Sequence, residues 1–226
     1  MLSRKYLMGI LAVLSVYCSK SHADEPELGT SPTEVKQFFD QRGKTVITFA
    51  GYSGAGYEDA EKMLAEARRV LSVHSPKKSI VNIGATSSGI GAVYKMAKEM
   101  GFETTGIVST QAKKYSAEIS PHVDRVFYVT DNSWGGFKPR TQVLTPTSQA
   151  MVQCSDIIIC IGGGEVARDE LLAAKRAGKT IKYVPAEMNH QVAIDEARQK
   201  GLPVPTDFKG AAYAAFGQPS GSEPRQ

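Results

Sequence analysis

The stretch Asp156-Ile-Ile-Ile-Cys-Ile-Gly-Gly-Gly-Glu-Val-Ala-Arg-Asp-Glu170 carries the plainest chemical signal in the chain. Its apolar run Ile157–Ile161 stops at Gly162, Gly163 and Gly164. A helical pattern follows, with Val166, Leu171 and Ala174 on one side. A buried strand, a tight turn and a helix N-terminus in that order present backbone N–H groups at the positive end of a helix dipole. That suits an anionic or nucleotide-like ligand. Glycines, lacking Cβ, let a ligand approach the backbone closely, although the same three could serve the tight turn alone. Two further clusters, Gly51-Tyr-Ser-Gly-Ala-Gly56 and Gly84-Ala-Thr-Ser-Ser-Gly-Ile-Gly91, also follow apolar runs. Within them Ser53, Thr86, Ser87 and Ser88 can donate to a phosphate or cap helices. Trp134, in the Gly-rich segment Asp131–Gly136, could stack on a base or pack its loop down.

Other chemistries lack their residues. Gly51, Gly54 and Gly56 do not have the G-x-G-x-x-G spacing of a dinucleotide turn. The end of the second apolar run offers Asn82 and Gly84, with no acid for a ribose diol. There is no G-K-[ST] and no G-x-S-x-G elbow, and His74, His122 and His190 are scattered without ligand spacing. The sequence predicts no metal site and no resident cofactor.

These residues need a scaffold that brings distant turns together. Thr45–Ala50, Ser79–Ile83, Thr104–Val108, Arg125–Val129, Ile157–Ile161 and Thr180–Val184 read as strands. Helical patterns over Glu34–Asp40, Glu58–Leu71, the segment ending at Met100, Ser148–Cys154, the segment after Gly164 and Gln191–Lys200 alternate with them. Ser31 or Thr33 suits the first N-cap, and Gly101 and Gly178 suit C-caps. Strands alternating with helices predict an α/β, Rossmann-like three-layer sandwich with a mostly parallel sheet. Ligands of such sheets bind beyond the carboxyl ends of the strands, where all three glycine clusters fall. Residues after about Phe208 read as a loose tail.

The first residues follow a different logic. Arg4 and Lys5 precede the apolar segment Tyr6–Tyr17, and Ser21-His22-Ala23 precedes Asp24. A basic start, a short apolar core and small residues before a cut predict a secretory signal peptide cleaved after Ala23. About 12 apolar residues fall short of the roughly 20 that span a bilayer. Cys18 follows Tyr17 where a lipobox has a small residue. The full chain carries 27 basic and 23 acidic residues. Removal of Arg4, Lys5 and Lys20 leaves a formal charge of about +1 and no basic block for nucleic acid or membrane. Cys154 and Cys160 remain, separated by mostly extended chain that rises about 3.3 Å per residue. That is too far for a disulfide, whose Cα atoms lie within about 7 Å, so two buried free thiols are expected.

The segment Met151–Glu170, followed by Ala177-Gly-Lys179, resembles the Rossmann-like SLOG superfamily. That group includes the "lysine-decarboxylase-like" Lonely-guy phosphoribohydrolases and the fold of DNA-processing protein A. Gly84–Ala92 looks like the family's second glycine loop, Gly51–Gly56 matches loosely, and the resemblance covers roughly residues 45–185. In the hydrolases the signature is P-G-G-x-G-T-x-x-E. Here Gly163 and Gly164 match the paired glycines and Glu170 the glutamate, while Gly162 replaces Pro and Val166 and Ala167 replace the G-T pair. The family's arginine has no counterpart, since Thr147 and Ser148 stand there; Arg140 and Arg168 are out of register. If the chemistry were retained, the resemblance implies that Glu170 is catalytic. It would stabilise an oxocarbenium-like state or position water as an N-glycosidic bond breaks. Its structural alternative is a first-turn helix acid.

The resulting expectation is a signal peptide over 1–23, an extension over 24–43, a Rossmann-like SLOG-type domain over 44–207 and a tail over 208–226. The protein would be periplasmic or secreted. It would bind a nucleotide or phosphorylated small molecule, a phosphoribosyl compound included, in a crevice of the three turns. Two alternatives stay open: hydrolysis of a nucleoside monophosphate, and a non-catalytic interaction domain with a vestigial crevice. No nucleic acid and, after cleavage, no membrane are expected as partners, and a homodimer stays open.

Overall fold

The computed structural model describes residues 29–217. The expected signal peptide and most of the last dozen residues lie outside them. Six strands form one sheet: β1 (Thr45–Gly51), β2 (Ser79–Ile83), β3 (Glu103–Ser109), β4 (Arg125–Val129), β5 (Ile157–Ile161) and β6 (Thr180–Val184). Their order is β4-β3-β2-β1-β5-β6, and every neighbouring pair is parallel. The chain therefore steps outward from β1 to β4, crosses back to place β5 beside β1, and continues to β6. The α/β Rossmann-like sandwich is thus the architecture, with its reversal of direction between β1 and β5.

Alternation along the strands explains the layers. Ile47, Phe49, Val81, Ile83, Ile159 and Ile161 face one side. There they meet Met63, Ala67 and Leu71 of α2 (Ala60–Leu71) and Val93 and Ala97 of α3 (Ala92–Glu99). Val46, Ile80 and Phe127 face the other side, against Val35 and Phe39 of α1 (Pro32–Arg42) and Ala150 and Met151 of α5 (Pro146–Cys154). Ala50, Ile158 and Cys160 on that side meet Leu171 and Ala174 of α6 (Glu165–Arg176). Helix α7 (His190–Gln199) follows β6. Ser31 is the cap of α1, in a reciprocal capping box with Glu34.

A polar row crosses the sheet beneath α5. Thr48, Asn82 and Thr105 are in register on β1, β2 and β3. Thr105 donates to Asn82, Asn82 to Thr48, Thr48 meets the Ser155 hydroxyl at 2.6 Å, and Ser155 donates to the Met151 carbonyl. Asn82 is therefore fully occupied within the core rather than at the ligand end of its strand.

Cys154 and Cys160 are both buried free thiols, as their spacing predicts. Two elements depart from the sequence reading. Gln111–Lys114 forms a single-turn helix, α4, after β3. The stretch expected to open a loose tail holds helix α8, Gly210–Phe216, whose Ala212 is fully buried. The correction has a physical cause. Ala211, Ala212, Ala214 and Ala215 give α8 a small face with high helix propensity, and the amide of Ala212 donates to the carbonyl of Gly163 at 3.0 Å. No helix among the described residues is long and apolar enough to cross a membrane.

Candidate functional site

A crevice of about 460 Å³ opens above the C-terminal ends of β1, β2 and β3, beside the point where the strand order reverses. Its floor is apolar, with Phe49, Ala50, Ile83 and Ile107. Gly51, Ser53, Gly84 and Thr86 come to it from the turns after β1 and β2, and Glu118 and Ile119 from the segment after α4. The wall further includes Thr147 and Met151 of α5, Val166, Ala167 and Glu170 of α6, and Trp134.

Of the residues that the sequence marks for ligand binding, Gly51, Ser53, Gly84, Thr86, Trp134 and Glu170 are thus gathered on one crevice. Gly54, Ser87, Ser88, Gly89, Gly162, Gly163 and Gly164 stand outside its wall. The glycine triplet is used by the chain itself. Gly162, at φ +61°, lies against the Tyr52 ring, where a Cβ would come within 2.4 Å of it. Gly163, at φ +119°, has no room because the methyl of Ala167 is 2.7 Å from a Cβ built there. Tyr52 crosses over this turn and donates its hydroxyl to the Lys209 carbonyl at 2.6 Å, just before α8. Gly51 admits Tyr57, whose hydroxyl donates to the Ile161 carbonyl and accepts from the Tyr52 amide. These turns are therefore braced by two tyrosines, and the first and second turns are joined where the Ile90 amide donates to the Tyr52 carbonyl.

Glu170 lies in the second turn of α6, not the first, whose acid is Glu165. It is only 6% exposed, and its Oε1 accepts from the Ser148 hydroxyl at 2.7 Å. Ser148 in turn accepts from the Gly136 amide at 2.7 Å. Burial pushes the Glu170 carboxyl up to about 7; the Ser148 hydroxyl opposes the rise and the Asp169 carboxylate adds to it. Asp169 itself accepts from the Phe137 amide and from Arg168. Together these bonds pin the loop carrying Trp134 against α6.

Asp131 anchors the same loop from its other end. Its carboxylate accepts from the Thr147 amide at the start of α5 and from the Ser133 amide and hydroxyl. Burial would raise its carboxyl, but those donors outweigh burial and hold it below the usual aspartate range. Trp134 is 51% exposed and stacks on Tyr115, their ring centroids 6.0 Å apart and their planes 30° from parallel. The aromatic face thus forms a lip of the crevice.

Thr147 is the wall residue that motif reading passed over. It is 4% exposed, and its hydroxyl lies against the Asp131 carboxylate without completing a well-formed hydrogen bond. The one sequence signal for it is its place at the register of the SLOG arginine. None of the residues lining the crevice is Lys or Arg, whereas Glu118 and Glu170 bring two carboxyl groups.

No protein-family model and no curated protein matches the chain. Among solved structures, it is similar to a Moco carrier protein from Chlamydomonas reinhardtii at 20% identity and a TM-score of 0.45, over 76% of this chain and 95% of that one. It is similar to the structural-genomics target TM1055 at 19% identity and a TM-score of 0.44, over 61% of this chain and 72% of the other. Likeness at this level assigns neither a family nor a ligand.

Proposed function

We propose that this chain is an exported protein of the SLOG type that binds a nucleotide or phosphoribosyl-type ligand in the crevice and does not turn it over. The observation that carries this reading is the crevice itself. Its size falls within the roughly 300–1,000 Å³ typical of small-molecule sites. It has loop hydroxyls, Ser53 and Thr86, on one wall and an aromatic lip, Trp134, on another. Loss of the hydrolase features supports binding without catalysis. Val166 stands where the family has glycine, Thr147 stands at the arginine, and a carboxyl with a pKa near 7 is only partly ionised at neutral pH. A half-neutral carboxyl is a poor stabiliser of an oxocarbenium-like cation.

Thermal unfolding of the chain beginning at Asp24 tests the reading. Addition of AMP, GMP, CMP, UMP or ribose 5-phosphate in turn should raise Tm with at least one of them. At a hundredfold excess over Kd, the rise expected for a domain of this size is about 5–10 °C. No stabilisation by any of the five would overturn it.

One observation favours the hydrolytic alternative: a carboxyl raised towards 7 is also what a general acid needs. That alternative predicts free base released from a nucleoside monophosphate and lost in Glu170→Gln. The binding reading predicts no release by the wild type. Export rests on the first 23 residues, and the mature protein should begin at Asp24 in the secreted or periplasmic fraction. Intact Met1-containing protein retained in the cytoplasm would contradict it.

A further inference from the structure

We propose that the α5–α6 end of the crevice reads an uncharged hydrogen-bonding edge of the ligand, the edge of a nucleobase, through Thr147 and Glu170, and leaves any phosphate to the turns after β1 and β2. This rests on the nucleotide-binding reading above and assigns the two ends of that site.

Two side chains on this wall have hydrogen-bonding capacity left over, one in a buried hydroxyl and one in a carboxyl oxygen. The Thr147 amide donates to Asp131 at 2.8 Å; its buried hydroxyl lies against the same carboxylate and helps hold that carboxyl down, but completes no well-formed hydrogen bond. Its residue lines the crevice, and in the proposed mode the side chain turns about χ1 to bring the buried hydroxyl to the wall when ligand binds. Glu170 uses Oε1 to accept from Ser148, and among the described residues its Oε2 accepts no hydrogen bond. A ligand that supplies donors and an acceptor here meets a hydroxyl already out of water and a carboxyl oxygen with no partner among the described residues.

The charge at this end excludes a phosphate. The positive end of α5 is already occupied by the Asp131 carboxylate, which takes the Thr147 amide that an anion would use. Asp169 is next to Glu170 in the chain, and Glu118 also lines the crevice. The nearest cation on α6, Arg168, is bound to Asp169 at 2.9 Å and lies 3.9 Å from Glu165. An anion in this position would face carboxyl groups, and no Lys or Arg among the described residues lines the crevice to offset them. A planar heterocycle would not, and Trp134, held two residues before the Gly136 amide that bonds Ser148, supplies a face for it. Ser53 and Thr86 remain at the opposite end, on turns with open space at Gly54 and Gly84. The raised Glu170 carboxyl agrees with this arrangement, because its protonated form can both donate and accept.

Calorimetric titration separates the two ends. For whichever nucleoside monophosphate binds, Kd is measured for that nucleotide, its nucleoside and ribose 5-phosphate. Thr147→Val should weaken the nucleotide and the nucleoside about 3–10-fold, the worth of one hydrogen bond, and leave ribose 5-phosphate unchanged. Thr147→Ser should restore both. Ser53→Ala with Thr86→Val should weaken the nucleotide and ribose 5-phosphate and spare the nucleoside. Methylation of the base's amino or ring N–H groups tests the same edge on the wild-type protein, independently of folding, and should cost at least as much as Thr147→Val. The assignment is overturned, with nucleotide binding intact, if Thr147→Val weakens ribose 5-phosphate as much as the nucleotide. It is equally overturned if neither Thr147→Val nor the methylated base alters affinity. If the wild type binds none of the three probes, the nucleotide-binding reading falls with it.

Discussion

Glu170 is the residue at which stability and ligand chemistry meet. In the unfolded chain its carboxyl has an ordinary pKa near 4.5, whereas burial in the fold raises it to about 7. The folded state therefore binds the proton more tightly, so stability from this group is full below about pH 4.5 and is lost as pH rises through 7. A shift of this size corresponds to at most about 3.5 kcal/mol. In urea unfolding from pH 4.5 to 7.5, the wild type should lose stability relative to Glu170→Gln, which cannot ionise. A difference that stays flat with pH would contradict the buried, Ser148-bonded placement. The spacing of Glu170 from Gly163 and Gly164 made it visible in the sequence. Thr147 was marked only by its place at the register of the SLOG arginine, because its interest lies in a buried hydroxyl left without a well-formed hydrogen bond beside Asp131. That is a tertiary property and no local pattern encodes it.

At the level of elements, the strands were the legible part. Ser79–Ile83, Arg125–Val129, Ile157–Ile161 and Thr180–Val184 match their sequence spans, because β-branched and apolar runs between polar or glycine breaks have few other solutions. The turn Gly162–Gly164 was legible as a turn, but its tenant was not. Three glycines suit a phosphate or the chain's own packing equally well, and the structure uses Gly162 and Gly163 for Tyr52 and Ala167. Helix α8 escaped notice because seven alanine-rich residues beside glycines carry little periodicity, and its anchor at Gly163 lies far away in sequence. Gly163→Val should therefore destabilise the fold by about 2–4 kcal/mol, through a positive φ and a clash against Ala167. Limited proteolysis should also cut sooner around residues 208–217. Gly164→Ala, with open space at its Cβ, should cost only the weaker N-cap of α6, about 1 kcal/mol or less. Equal losses for the two variants would contradict the packing role given to Gly163.

For the whole molecule, alternation of strands and helices was enough to predict a parallel sheet and a binding end, but not which turns would converge. That depends on the order β4-β3-β2-β1-β5-β6, which sets the turns after β1 and β2 on one side of the crevice and α6 on the other. The same order leaves the β5 glycine turn beneath Tyr52 and beside α8, away from the crevice wall. The loop from Asp131 to Thr145 then completes the site by carrying Trp134 to its lip. Because Trp134 is the single tryptophan of the chain, its fluorescence reports on the site without labelling. The central claim is that a nucleotide or phosphoribosyl compound occupies this crevice, and titration of Trp134 emission with each nucleoside monophosphate and with ribose 5-phosphate tests it most directly. The account predicts a saturable shift in the emission wavelength with at least one nucleotide, weakened in Thr147→Val. An emission spectrum that none of these compounds shifts, up to millimolar concentration, would contradict it.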